Sequence, residues 1–220
     1  MRILIFLLTI LLSANNAQSI ETTNLKIFAN DDFKTIPVRV YIVKADKSHN
    51  LNAEISHNEA VNVFNIVNII WRQAGIHFEI ESIVNLQASN EDQYIAARKR
   101  KDRKMKVMRD VCDIPKQSKG VLNLCVVGQM SNNSGGVSFK STKPKVVWPI
   151  ALRNGKKPLN PATLAHEFGH FLGLPHNTEK DIFLMRGSGN NMLRNKQFNT
   201  IQLTESEIVK ARKMAIKLFH

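Results

Sequence analysis

Cysteine is nearly missing from this chain. Only Cys112 and Cys125 occur in 220 residues. That excludes a disulfide-dense scaffold, and since neither belongs to a CxxC pair, a thiolate metal site is not expected. Aromatic residues make up only 7% of the chain, with Tyr41 and Tyr94 the only tyrosines. None lies within the most basic stretch, so stacking on bases has no support and no specific nucleic-acid binding is expected. Acidic side chains are outnumbered: 18 Asp and Glu face 31 Lys and Arg, a formal charge of +13. An acidic partner or surface suits such a chain better than a basic one. Internal repeats and Pro/Ser-rich linkers are lacking too, and the length suits one domain with a proper core.

Long apolar runs are also absent, with one short exception. Ile3–Leu12 follows Arg2 and precedes small residues near Ala17 and Ser19. A run of about ten residues is too short to span a bilayer and reads as a removable secretory signal. The expectation is a signal over 1–19, a short N-terminal segment over 20–35 and a domain over 36–220. The product would be secreted or periplasmic, with no transmembrane segment in the mature chain. Export gives the cysteines a meaning, because outside the cytoplasm a single pair usually oxidises. A Cys112–Cys125 bridge would close a loop worth about 3 kcal/mol. Two buried free thiols are the alternative, as Cys125 sits in an apolar strand.

Much of the basic excess is local. Arg98 to Lys106 holds seven basic residues, which suit an anionic surface or, more simply, a solvated helix face or loop. Elsewhere the pattern is regular. Ile36, Val38, Val40 and Ile42 alternate like a half-buried strand. Ser56 and Glu59 form a capping-box pattern before a helix carrying Val63, Phe64, Val67, Ile70, Trp71 and Ala74, which Gly75 stops. Ile76, Phe78 and Ile80 mark a second strand, whereas 82–119 is polar, basic and poorly patterned. Val121–Val127 reads as a buried strand, Val137–Lys140 as a short edge strand and Val146–Leu152 as another. Pro149 argues that this last one is an edge or carries a bulge. Thr204 and Glu207 form a second capping box before a final helix with Ile208, Ala211, Ala215 and Leu218.

The chemistry concentrates in AHEFGHFLGLPHN, residues 165–177. Asn160 suits a helix N-cap and Pro161 the first turn. His166 and His170 then fall four residues apart on one face, where both imidazoles can reach one zinc ion. Gly173 lets the chain turn out of the helix, so that His176 returns as a third ligand. Three protein ligands leave a fourth position open, which distinguishes a catalytic zinc from a structural one. Glu167, beside the first ligand, is placed to act on a zinc-bound water without displacing it. His49, His57, His77 and His220 lie outside the pattern and read as surface or ordinary packing.

HExxHxxGxxH, present as His166, Glu167, His170, Gly173 and His176, resembles the motif of the metzincin clan of zinc endopeptidases, with matrixin-like wording. The resemblance implies an α/β fold: a single domain with a mixed twisted sheet, an active-site helix and a C-terminal helix. It implies a zinc metalloendopeptidase with one catalytic ion, a peptide or protein substrate, and Glu167 as the base that activates the zinc-bound water. It also implies a methionine turn beneath the metal, for which Met185 is the candidate and Met192 the rival. By analogy Gly135–Lys140 would be the edge strand that receives substrate. Two features depart from clan members: position 187 is glycine where some carry a metal-site tyrosine, and no cysteine precedes Cys112 to form a cysteine switch. Rival functions are a zinc-holding protein that binds peptides or an anionic surface without hydrolysis, and a zinc hydrolase of a non-protein amide. An intact Glu167 favours hydrolysis over binding alone.

Overall fold

The computed structural model describes residues 33–100, 106–114, 120–131, 134–139, 145–149, 160–178, 182–187 and 198–219. The expected signal, most of the 20–35 segment, the middle of the basic run, Lys140, Leu152, Met192 and His220 lie outside them. Among the described residues no helix is long and apolar enough to cross a membrane.

A five-stranded sheet has the order β2-β1-β3-β5-β4. Its strands are β1 (Lys34–Lys44), β2 (Ile76–Gln87), β3 (Leu122–Val127), β4 (Val137–Phe139) and β5 (Lys145–Pro149). β1 pairs in parallel with β2 and β3, and β3 in parallel with β5. β4 closes the edge antiparallel to β5, so the sheet is mixed. Pro149 argued for an edge strand or a bulge, yet β5 lies between β3 and β4 and its pairings with both keep register. The proline is tolerated because it ends β5 beyond Val147, the last β5 residue that β4 pairs.

Strand alternation splits the interior into two cores. Ile36, Val38, Val40 and Ile42 of β1, with Leu122, Leu124 and Val126 of β3, face α1 (His57–Trp71), α4 (Pro161–Phe171) and α5 (Glu205–Phe219). Val43, Cys125 and Val127 point to the opposite face, where they meet Tyr94, Met108, Val111 and Cys112. β3 is therefore buried at every position, which explains why every residue in it but Asn123 is apolar. The second layer corrects the sequence reading of 82–119 as unpatterned. β2 runs on to Gln87, and α2 (Glu91–Lys99) and α3 (Lys106–Val111) follow. Cys112 and Cys125 are joined, with Cα atoms 6.3 Å apart, so the bridge staples the end of α3 to β3.

Local signals set the helix ends. Ser56 and Glu59 cap α1 reciprocally. α1 then tightens into a 3₁₀ turn over Arg72–Ala74 and stops at Gly75, whose φ is 57°. Thr204 and Glu207 make the corresponding pair at α5: Glu207 N donates to Thr204 Oγ1 and Thr204 N to Glu207 Oε2.

Candidate metal centre

The site is built on α4, and the core holds α4 in place. Asn160 Oδ1 accepts from Ala162 N and Thr163 N, and Pro161 occupies the first turn. Phe168 points inward, its ring 4.3 Å from Phe78 and 6.1 Å from Phe64, centroid to centroid. Trp71 Nε1 donates to Ala165 O at 3.2 Å. Burying Phe168 alone stabilises the packing by about 1.5–3 kcal/mol. With that face sunk, the face carrying His166 and His170 has one orientation.

Gly173 has φ +85° and ends the helix with a left-handed turn. The chain reverses, and His176 comes back over the two helical histidines. His176 Nε2 lies 3.1 Å from His166 Nε2 and 2.9 Å from His170 Nε2. The three rings thus converge on one point, as a shared metal requires.

Protonation can be read from the outer nitrogens. His166 Nδ1 donates to Leu184 O at 2.6 Å and His170 Nδ1 to Leu174 O at 2.9 Å. Since a carbonyl only accepts, each of these rings, when neutral, carries its proton on Nδ1 and a lone pair on Nε2. His176 Nε2 has at most one proton to offer. At least one of the two close contacts therefore sets lone pair against lone pair, unless a cation lies between them. Burial holds the His166 pKa down to about 4, helped by the neighbouring His170 and His176, so the ring stays neutral. Three imidazoles with backbone carbonyls behind two of them fit zinc, and leave one tetrahedral position open.

Glu167 is 7% exposed. Burial raises its carboxyl to about pKa 7. A cation in the histidine cluster would favour the charged form and act against that rise.

The turn after His176 forms the floor. Met185 is fully buried and packs on Gly169, where an added Cβ would overlap Met185 Sδ. Met185 O accepts from Asn177 N at 2.9 Å, and the neighbouring Leu184 O orients His166. Asn177 Nδ2 donates to Glu207 Oε1 at 2.7 Å, so the residue after His176 is tied to the first turn of α5.

His166, His170 and His176 come together, with Glu167 and Gly173 on the same helix and turn and Met185 packed on Gly169, and Cys112–Cys125 lies apart in the second core. Arg98 is not a free charge, because its Nη1 donates to Met130 O at 3.1 Å and its guanidinium lies 5.9 Å from the Tyr94 ring centre. Sequence reasoning missed Gly169, Gly136, Leu174, Leu184 and Glu207 as parts of the site. Glu207 carried a signal as a cap residue, but nothing local pointed to Asn177.

Residues 57–177 match the family model described as metallopeptidase family M12B, reprolysin-like. No curated protein matches the chain. Among solved structures, archaemetzincin from Methanopyrus kandleri shares the fold at 14% identity and TM-score 0.53, covering 84% of this chain and 97% of that one. Metalloproteinase-II from Bacteroides fragilis matches at 13% identity and TM-score 0.45, over 82% of this chain and 53% of that one. A chaperone–substrate complex matches at 18% identity and TM-score 0.47, over 86% of this chain. The chain spans only 36% of that structure's length.

Proposed function

The chain belongs to the reprolysin-like metallopeptidases of family M12B, and from that membership and the site we propose a secreted zinc endopeptidase of metzincin type. One catalytic ion would be held by Nε2 of His166, His170 and His176. The observation that carries the reading is the convergence of these three nitrogens beside a buried carboxyl group that takes no part in holding them.

Zinc, when bound, supplies a Lewis acid that polarises a carbonyl oxygen and makes water a better nucleophile at neutral pH. The chain's own work is positioning and proton transfer. Leu184 O and Leu174 O keep the proton of His166 and His170 on Nδ1 and leave Nε2 free to hold an ion. Glu167 takes the proton of the attacking water on a carboxylate oxygen and returns it to the leaving amine as the peptide bond breaks. Position 187 is glycine, close to the His176 ring, so no side chain there reaches the developing oxyanion. The outer edge of β4 is the last in the sheet, and a peptide would join it as an additional strand. Removal of residues 1–19 would accompany export.

Glu167→Gln tests this reading. Glutamine keeps the shape and can hydrogen-bond water, but cannot accept a proton at neutral pH. Zinc per chain should stay at the wild-type value while turnover of a cut peptide falls toward the upper part of the roughly 10²–10⁴-fold range of general-base catalysis. Unchanged turnover would place the proton transfer elsewhere. A wild type that binds zinc but cuts nothing in a broad peptide library would favour a binding protein.

A further inference from the structure

The two glycines that lead into β4 lie directly on α4. A Cβ added at Gly136 would stand 2.6 Å from Glu167 Cγ and 3.1 Å from its Cδ and Oε1. A Cβ at Gly135 would stand 3.1 Å from Thr163 Cγ2. Thr163 and Glu167 are four residues apart, hence one above the other on the same helical face. The 135–136 backbone therefore crosses α4 along the stripe that carries Glu167.

Backbone conformation does not account for these glycines. The positive-φ glycines among the described residues are Gly75, Gly120 and Gly173, so any residue type could adopt the backbone at 135 and 136. What position 136 requires is space, and the atoms that need it belong to Glu167. The same backbone continues into β4 at Val137, the residue that pairs with Val147.

We propose that Gly136 is a positioning residue, whose missing side chain lets the backbone leading into the edge strand close over Glu167 and hold its carboxylate at the metal centre. This rests on the assignment of Glu167 as the proton-transfer group. Glu167 has three rotatable bonds between backbone and carboxyl group, and burial under the 135–136 backbone removes that freedom. A peptide that joins β4 would then dock on backbone continuous with the segment that holds the base. Any side chain at 136 would push Glu167 out of place while leaving the three histidines untouched.

Gly136→Ala tests the idea in the zinc-loaded chain. Zinc per chain should match the wild type, kcat should fall about a hundredfold, as for a misplaced catalytic group, and KM should barely change. A kcat equal to the wild type would overturn the proposal. A second arm needs no catalysis: the urea midpoints of wild type, Gly136→Ala, Glu167→Ala and the double variant. Glu167→Ala removes the Cγ, Cδ and Oε1 atoms that the new methyl group would meet. The alanine at 136 should therefore lower the midpoint in the wild-type background and not in the Glu167→Ala background. Equal lowering in both would show that position 136 acts on something else, and overturn the proposal. Should Gly136→Ala fail to fold, recovery of folding in the double variant supports it, and failure of both overturns it. A wild type without peptidase activity would remove the proposed function, while the stability cycle would still decide the contact.

Discussion

At the scale of single residues, the three histidines differ in what else they do. His166 is buried in the core, whereas His176 is exposed. Replacing His166 would combine loss of a ligand with a packing defect, so His176 is the cleaner probe. His176→Ala should leave the melting of the metal-free chain unchanged and lower zinc content and peptidase turnover together. Elemental analysis and a peptide assay on the same sample check this. Zinc held at the wild-type level would mean that a different residue completes the site. Gly169 shows how tightly the floor is made: between two ligand histidines it leaves room for the Met185 sulfur, so a larger residue there meets a side chain with no exposed route of escape.

At the scale of elements, two connections hold the site to its surroundings. The first is Glu207, 7% exposed, which accepts from Thr204 N with one oxygen and from Asn177 Nδ2 with the other. One carboxylate thus caps α5 and anchors the residue after His176. Glu207→Ala should lower stability by about 1–2 kcal/mol through the lost cap. It should also weaken zinc affinity, because the residue after His176 loses its anchor on α5. Denaturant titration and chelator competition measure the two effects separately, and unchanged affinity would limit Glu207 to the cap. The second connection is Cys112–Cys125, which pins α3 to β3 in the core remote from the histidines. Replacing both cysteines with alanine should cost about 3 kcal/mol of unfolding free energy. The zinc content of the folded fraction should be unaffected.

At the scale of the whole molecule, the described part of the basic cluster belongs to a layer different from the chemistry. Lys99 at the end of α2, Arg100 just after it and Lys106 at the start of α3 are exposed, and these helices cover the sheet face opposite α4. If this cluster holds an anionic surface, their neutralisation should reduce binding to anionic vesicles and its salt dependence, and leave hydrolysis of a small neutral peptide nearly unchanged. Arg98 is better left in place, because its guanidinium holds the Met130 carbonyl and its loss would disturb the fold. Vesicle sedimentation at two salt concentrations, beside peptide turnover, measures both. A collapse of small-peptide turnover with the fold intact would place this layer in the active site.

What the sequence determined by itself is what depends on neighbours along the chain. The i, i+4 spacing of His166 and His170, the caps at Ser56, Asn160 and Thr204, the left-handed turn at Gly173 and the apolar run of β3 need no distant partner to be recognised. The family motif lies in the same short stretch, so zinc chemistry was legible before any fold. The tertiary structure alone decided what depends on residues far apart in the chain. Tyr94, Ala97, Met108 and Val111 look like scattered apolar residues in a basic segment until the far face of the sheet gives them something to bury against. Pro149 looked like a sign of an edge or a bulge because sequence does not reveal where pairing along a strand stops. Met185 against Gly169, Glu207 against Asn177, the carbonyls behind His166 and His170, and Gly136 against Glu167 all bring together groups from different elements. Close packing sets such contacts to within a few tenths of an ångström, and no periodicity along one segment encodes a distance to another.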